Sequence, residues 1–421
     1  MKKIFSVLIV AVLLSTMLFA TGSKETASNE SKKTELLLWL PPFGNGDTLD
    51  MEFWSQTLAP WASANNVNLK IEITPWGGYE EKYLTGFASG QGPDVGYMYS
   101  EMFNDFIEMG TLADMEQYFT QAEKDNYIYW AKGNMKGGQY AIPFVVGNPR
   151  IPFFNMELLK AAGWEKPPVT WDELTKCLID VKNSAAKDVL PLAQEWSDPA
   201  IGALNNIFYP YLWQSNGRIY NEDGSKVALL DNGGAVEAAQ FLYDLRFKYN
   251  VIPDSSMALQ GTQVRELFQE GKVAVASMDA KSAIMFKELP FDWTFLPSFE
   301  NETKAIWVAT DSLIMSAACK NKELAASLIK EITKAETMTK FHKEISPFPP
   351  ISRDEEYNDN PIFKDLFDNY SQFFHPLPVA EGSFKVMDSL YKNLQLMMLK
   401  DLTPEQAIKN TVDYSNSILS H

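Results

Sequence analysis

The stretch A-S-G-Q-G-P-D-V-G-Y-M-Y-S-E-M-F-N-D-F-I-E-M-G-T-L-A-D-M at residues 88–115 constrains the fold more than any other. Gly90, Gly92 and Pro93 stop whatever precedes them, because glycine admits turn conformations and proline lacks the amide a helix needs. Residues 94–99 then read as a short buried strand. Ser100 is placed to cap the helix that follows, and Gly110 to end it. A strand feeding a helix is the unit of an α/β sheet, and ligands of open α/β sheets gather outside the carboxyl ends of the strands. Ser100 and Glu101 stand at such an end and are the first candidate site residues.

The same alternation runs along the chain. Residues 36–40 form a buried strand stopped by Pro41 and Pro42, 51–65 have helical spacing, 67–73 alternate as a strand, and 79–88 are helical. This βαβαβα order predicts a mainly parallel sheet with helices on its faces. Residues 139–146 approach as a strand, Gly147, Asn148, Pro149 and Arg150 interrupt it, and 151–155 resume it. Further helices are expected at 171–184, 200–214, 233–249, 262–269, 322–334, 384–399 and 403–419, the first opened by a Thr170/Glu173 capping box. Further strands are expected at 191–194, 272–278, 293–297 and 305–317. A length of 421 residues allows two or three domains.

The first residues read as an export signal. Lys2 and Lys3 precede an apolar run at 4–14, and Ala20-Thr21-Gly22 offers a small-x-small cleavage pattern. Cleavage after Gly22 is the first choice and after Ala20 the second. An uncleaved anchor is the alternative, although the run is shorter than the ~20 apolar residues of a membrane span. Thr21 stands where a lipobox would need a thiol, so lipidation there is not expected. Residues 23–34 are polar and read as a flexible tether.

The net charge is −17, and loss of Lys2 and Lys3 makes it two units more negative. Nucleic-acid binders need a basic face, so that class is disfavoured. Cys177 and Cys319 sit in apolar patterns and are expected as buried free thiols, with a disulfide the alternative. His342, His375 and His421 are scattered, and no His/Cys/carboxylate spacing suggests a metal. No cofactor motif and no catalytic constellation stands out.

Five phrases, in order, carry a family resemblance. They are the G-P-D-V strand with its helix ending M-G-T-L-A-D-M; I-P-F-x5-R-I-P-F-F-N-M-E-L-L-K-A-A-G-W; P-P-V-T-W-D-E-L; F-x-E-G-K-V-A-V at 268–275; and N-K-E-L-A-A-S-L-I-K-E-I at 321–332. Together they resemble the extracellular solute-binding proteins of ABC importers, the family-1 group that includes maltose-binding protein. The resemblance implies an α/β fold of two lobes, the type II periplasmic-binding-protein arrangement, with three crossovers and a ligand cleft at the hinge. It divides the chain into a signal peptide (1–22), a tether (23–34), an N-terminal lobe (35–147 with 304–372) and a C-terminal lobe (151–298 with 376–421). Crossings are expected at 147–151, where small and rigid residues break an apolar strand, at 298–304 and at 370–378.

A sugar ring offers an apolar face and a hydroxyl rim, so its site needs flat aromatics and charged or amide partners. Phe43, Asn45 and Asp47 follow the first strand, and Trp76 follows the second between turn residues. Asp47 could equally cap the next helix, and Ser100 with Glu101 could serve only the start of theirs. Arg150 lies at the first crossing. Glu195 and Trp196 resemble the family position where an acid and an aromatic face the cleft. Trp213 ends a helix, and Trp307 and Asp311 border the returning strand. Asp279 stands where the family often has an aromatic ligand contact. Glu381 and Phe384 precede a helix that borders the cleft in relatives.

The expected function is therefore extracytoplasmic capture of a mono- or oligosaccharide for a membrane permease, by a monomer without a cofactor. The alternatives are a non-sugar solute such as a polyamine, held by acids and aromatics, or an exported carbohydrate-active enzyme built on a carboxylate pair.

Overall fold

The computed structural model describes residues 33–44, 47–221, 224–356, 361–378 and 380–419, without the side chains of Asp47 and Pro361. The expected signal peptide lies outside these residues, as does all but the end of the expected tether. Contacts divide the chain after residue 34, and the folded body runs from Glu35 onward.

Two sheets organise this body, one in each of two lobes. The first has the strand order Val67–Ile73, Thr34–Leu40, Val95–Met98, Ala309–Met315, Ile142–Gly147. Thr34–Leu40 and Val95–Met98 are parallel, with Leu38 opposite Val95. Ala309–Met315 runs antiparallel to both its neighbours, with Ser312 opposite Met98 and Ala309 opposite Gly147. The sheet is thus mixed rather than mainly parallel. Strands Thr34–Leu40 and Val95–Met98 end toward the other lobe, whereas Ala309–Met315 arrives from it, so it must run the opposite way.

The second sheet has the order Trp293–Phe295, Arg150–Asn155, Val273–Asp279, Leu190–Ala193. Arg150–Asn155 is antiparallel to both neighbours, with Arg150 opposite Asp279 and Trp293 opposite Asn155. Leu190–Ala193 is parallel to Val273–Asp279.

Helices cover both sheets because their apolar stripes recur at helical spacing. Helix Asp47–Ala64 buries Phe53, Trp54, Leu58 and Trp61 on the first sheet. The Trp61 indole donates to Ser327 Oγ at 3.0 Å, which ties that helix to Lys322–Thr333. Helix Trp171–Ser184 begins with the expected capping box, Thr170 and Glu173 each serving the other's amide. Cys177 and Cys319 are free and buried in separate cores, and burial pushes their thiols up to about 12 and about 11.

Four local expectations change. Tyr99, not Ser100, precedes helix Ser100–Glu108, and its side chain makes no capping bond; the Ser100 hydroxyl instead meets the Thr310 hydroxyl at 2.6 Å. Residues 200–214 are not one helix: a 3-10 turn at Ile201–Ala203 leads to Leu204–Ile207, and the chain bends at Phe208 (φ −137°, ψ −51°) before Tyr209–Gln214. Pro210 cannot donate the amide that a continuous helix would use there. Helix Gly234–Tyr243 widens into a π-turn at Asp244–Lys248. Helices Ala335–Glu344 and Pro361–Tyr370 add to the expected set.

The segments around two of the expected crossings lie against the second-lobe cores. Ala305, Trp307 and Ala309 fall in the same apolar cluster as Phe154, Leu192 and Val275 of the second lobe, and Ile306 in that of Phe153 and Ile151. The polar loop 298–304 is pinned there too, since Glu300 exchanges backbone hydrogen bonds with Val169 and Trp171. The chain therefore joins the first sheet only at Ala309. Phe363 and Leu366 of helix Pro361–Tyr370 share an apolar cluster with Phe153 and Phe286 of the second lobe, and within 370–378 the short strand Phe374–His375 pairs with Ile306–Trp307. At residues 147–151 the backbone does turn sharply: Gly147 (φ +101°) and Asn148 (φ +45°) both take positive φ, which glycine and asparagine tolerate best.

Candidate functional site

Arg150 is the centre of the charged residues between the lobes. It opens strand Arg150–Asn155 directly after the positive-φ pair. Its guanidinium lies 4.9 Å from the centre of the Trp307 ring and donates to the Asn148 carbonyl at 3.4 Å. Four carboxylates feel its charge: Glu101 and Asp311 from the first lobe, Glu195 and Asp279 from the second.

These four acids differ in state because their surroundings differ. Burial pushes Glu101 up to about 8, with Asp311 adding to the rise and Arg150 opposing it. Burial likewise takes Glu195 up to about 8, although Asn206 donates to its Oε1 at 2.7 Å. Asp311 rises to about 7 by burial, while the Tyr97 hydroxyl donates to it at 2.5 Å. Asp279 goes the other way. Burial would raise it, but Lys281, Arg265 and Arg150 together hold it below the usual aspartate value. Arg265 lies 3.7 Å from it, and Ser282 donates to it through both its amide and its hydroxyl at 3.1 Å. Burial lowers the Lys281 amine, which reaches across from the second lobe to donate to the Phe43 carbonyl at 2.6 Å.

The aromatic candidates divide. Trp76 is 38% exposed and is held by an indole bond to the Pro42 carbonyl at 3.1 Å and by edge contacts with Phe43 and Tyr97. Trp213 stacks between Tyr209 and His375, with ring centres 5.7 and 5.0 Å away. Trp307 is buried under Arg150, and its indole nitrogen has no hydrogen-bond partner among the described residues. The ring of Phe43, expected at the cleft, is instead enclosed by Tyr97, Phe144, Phe341 and Phe348 in the first-lobe core, while its carbonyl meets Lys281 of the other lobe. Trp196 is 1% exposed and turns into the second-lobe core, its indole bound to Gln194 at 3.0 Å. Phe384 is partly buried against that core, and Glu381 is exposed. Asn45 and the side chain of Asp47 lie outside the described residues.

The model of the bacterial extracellular solute-binding protein family matches residues 45–339. The chain belongs to this family. A Brucella abortus protein described only as a binding protein is 24% identical over 365 residues, covering 84% of this chain and 86% of its own length. A diacetylchitobiose-binding protein of Streptomyces coelicolor is 24% identical over 328 residues, covering 73% of this chain and 71% of its own. The solved solute-binding protein of Thermotoga lettingae, bound to α-D-tagatose, shares the fold with a TM-score of 0.77 at 20% identity, over 92% of this chain and 100% of that one. The two-lobe arrangement is thus that of periplasmic sugar-binding proteins.

Sequence reasoning missed several neighbours of the site in this solute-binding protein. Tyr209 is fully buried, its hydroxyl lacks a partner among the described residues, and it lies within reach of the Glu101 charge. Asn206 and Tyr209 follow from the break at Phe208, which the pattern of 200–214 did not reveal. Arg265 and Lys281 flank Asp279 in space, and only Lys281 is near it in sequence. The Tyr391 hydroxyl, from helix Ser383–Met398, reaches the carbonyls of Trp196 and Asp198 at 3.2 and 2.8 Å and steadies the loop carrying Glu195.

Proposed function

We propose that this solute-binding protein captures a carbohydrate between its lobes, outside the cytoplasm, and delivers it to the membrane subunits of an ABC importer. One observation carries the reading. At the hinge and on the second lobe, opposite Glu101 and Asp311 of the first, lie buried donors and acceptors that lack protein partners among the described residues: Asn148 Oδ1, Arg150 Nε, Gln194 Nε2, Asn206 Oδ1, the Tyr209 hydroxyl and the Trp307 indole. Leaving such groups unmade is costly. A polyol supplies hydroxyls that both donate and accept, which suits a mixed set of this kind. Relatives that bind diacetylchitobiose and tagatose support the class of ligand.

In this reading residues 147–150, 307–309 and 370–378 are hinge segments, a view supported by the pairing of Phe374–His375 with Ile306–Trp307. Ligand contacts from both lobes stabilise the closed form by differential affinity. Residues 1–22 act as the export signal, and the protein works as a monomer. Among the described residues no helix is long and apolar enough to cross a membrane.

The test is calorimetric titration of the purified chain with mono- and oligosaccharides, with Glu195→Ala alongside. Saturable binding of a sugar that Glu195→Ala weakens, with no sugar consumed, supports capture. Turnover of the sugar points to an enzyme, and binding of polyamines alone removes the carbohydrate reading.

A further inference from the structure

We propose that the solute is a sugar carrying a protonated amino group, held by carboxylates that the two lobes bring face to face. This rests on the carbohydrate reading and narrows it.

The positive side chains of the site each have a protein partner, although Arg150 Nε and Arg265 Nε have none among the described residues. Arg265 pairs with Asp279, Lys281 donates to the Phe43 carbonyl, and Arg150 lies over Trp307 while shared among several acids. The acids are not matched in the same way. Asp311 receives a tyrosine hydroxyl and Glu195 an asparagine amide, both neutral donors. Asp198 accepts backbone amides, those of Ala200 at 3.1 Å and Gly261 at 3.2 Å.

Glu80 carries the argument furthest. It lies in the first turn of helix Tyr79–Ser89 in the first lobe and is 7% exposed. Its Oε1 is buried with no hydrogen-bond partner among the described residues. Asp198 and Asp388 of the second lobe both repel it, and burial together with these two acids pushes its carboxyl up to about 7. Asp388 has a lysine, Lys392, at 2.7 Å, but that side chain is exposed. The lobes touch beside this cluster, since a Cβ on Gly77 would come within 3.2 Å of the Pro199 ring.

A buried, unpartnered carboxylate oxygen of the first lobe therefore faces the negative charge of the second where the lobes touch. Like charges brought out of water oppose closure. A neutral sugar can hydrogen-bond these oxygens but cannot offset their charge. A metal ion fits poorly, because no three His, Cys, Asp or Glu side chains among the described residues could hold one. An ammonium group on a sugar supplies three donors and one positive charge at once.

Calorimetric titration compares glucosamine, galactosamine and the β-1,4-linked glucosamine disaccharide with their N-acetylated forms, which keep the skeleton and lose the charge. At neutral pH at least one amine is expected to bind about ten-fold or more tightly than its N-acetylated partner, with the difference shrinking as salt is raised. Glu80→Gln should erase most of that preference, read as the ratio of the amine and N-acetylated affinities measured on the same folded variant. If Glu80→Gln fails to fold, Asp198→Asn serves the same comparison. If no amine is preferred over its neutral partner while neutral sugars bind, the proposal falls and the carbohydrate reading stands. If no sugar of either kind binds, both fall.

Discussion

The guanidinium of Arg150 lies 4.9 Å from the centre of the Trp307 ring, joining the first residue after one passage between the lobes to the strand that begins the return. The aromatic face holds the cation where Glu101, Asp311 and Glu195 all sense it. Arg150→Ala is expected to weaken ligand binding about ten- to hundred-fold and to push those carboxyls further up. Arg150→Lys keeps the charge but not the flat stacking group, and should recover only part of the loss. Titration calorimetry of both variants measures this; unchanged affinity in Arg150→Ala contradicts it.

The buried acids set the pH dependence of the unliganded protein. Glu101 and Glu195 are pushed up to about 8 and Glu80 to about 7, from an ordinary value of 4.5. Between those values the folded chain binds more protons than the unfolded chain, so stability falls as pH rises through the window. Asp279 is shifted the opposite way, so its effect comes below the ordinary aspartate value of 3.8 and outside this window. The melting temperature is expected to decline from about pH 5 to about pH 8, and Glu101→Gln with Glu195→Gln should flatten the decline. A melting temperature that climbs across this range counts against it.

Gly261 leaves no room for a side chain beside Glu195. A Cβ there would lie 2.5 Å from Glu195 Oε2, the movable end of a side chain, and the glycine itself is not in a positive-φ conformation. Gly261→Ala should therefore displace the carboxylate rather than the backbone. The expected result is reduced ligand affinity with a melting temperature within about 2 °C of wild type. A large loss of stability with intact affinity runs the other way.

Gly147 is different in kind. It takes φ +101°, and a Cβ would come within 2.8 Å of the Phe367 ring and 3.0 Å of Pro349. Gly147→Ala adds both backbone strain and a clash, at a cost of about 1–3 kcal/mol. Denaturant unfolding should show a lower midpoint, and scattering should show a changed spread between open and closed forms. Wild-type behaviour in both measurements removes Gly147 from the hinge.

Much of the scaffold is legible from residue pattern alone. Strand Val67–Ile73 has the expected limits, and helix Tyr79–Ser89 differs by one residue. Glu101, Arg150, Glu195, Asp279 and Asp311, distinguished by their places at strand ends and crossings, come together in space. What the pattern does not carry is direction. Phe43 and Trp196 both follow strands at the correct end, yet their rings turn back into the cores, because burying a large aromatic outweighs exposing it at a loop. Helix Ala335–Glu344 is hard to read because its sequence A-E-T-M-T-K-F-H-K-E offers only Met338 and Phe341 as buried apolar anchors. The passages between lobes are hard to place because a polar segment need not be a free one: the loop 298–304 is polar but tied down through Glu300.

The first sheet holds Ala309–Met315 between Val95–Met98 and Ile142–Gly147. A ribosome must therefore make more than two thirds of the chain before that sheet can close. The second core waits still longer, for Leu390, Leu394 and Ile408. An emerging chain has no complete lobe to fold early, and contacts so distant in sequence form slowly. Neither lobe can thus be completed until late in synthesis, and loss of the last helices leaves the second core open.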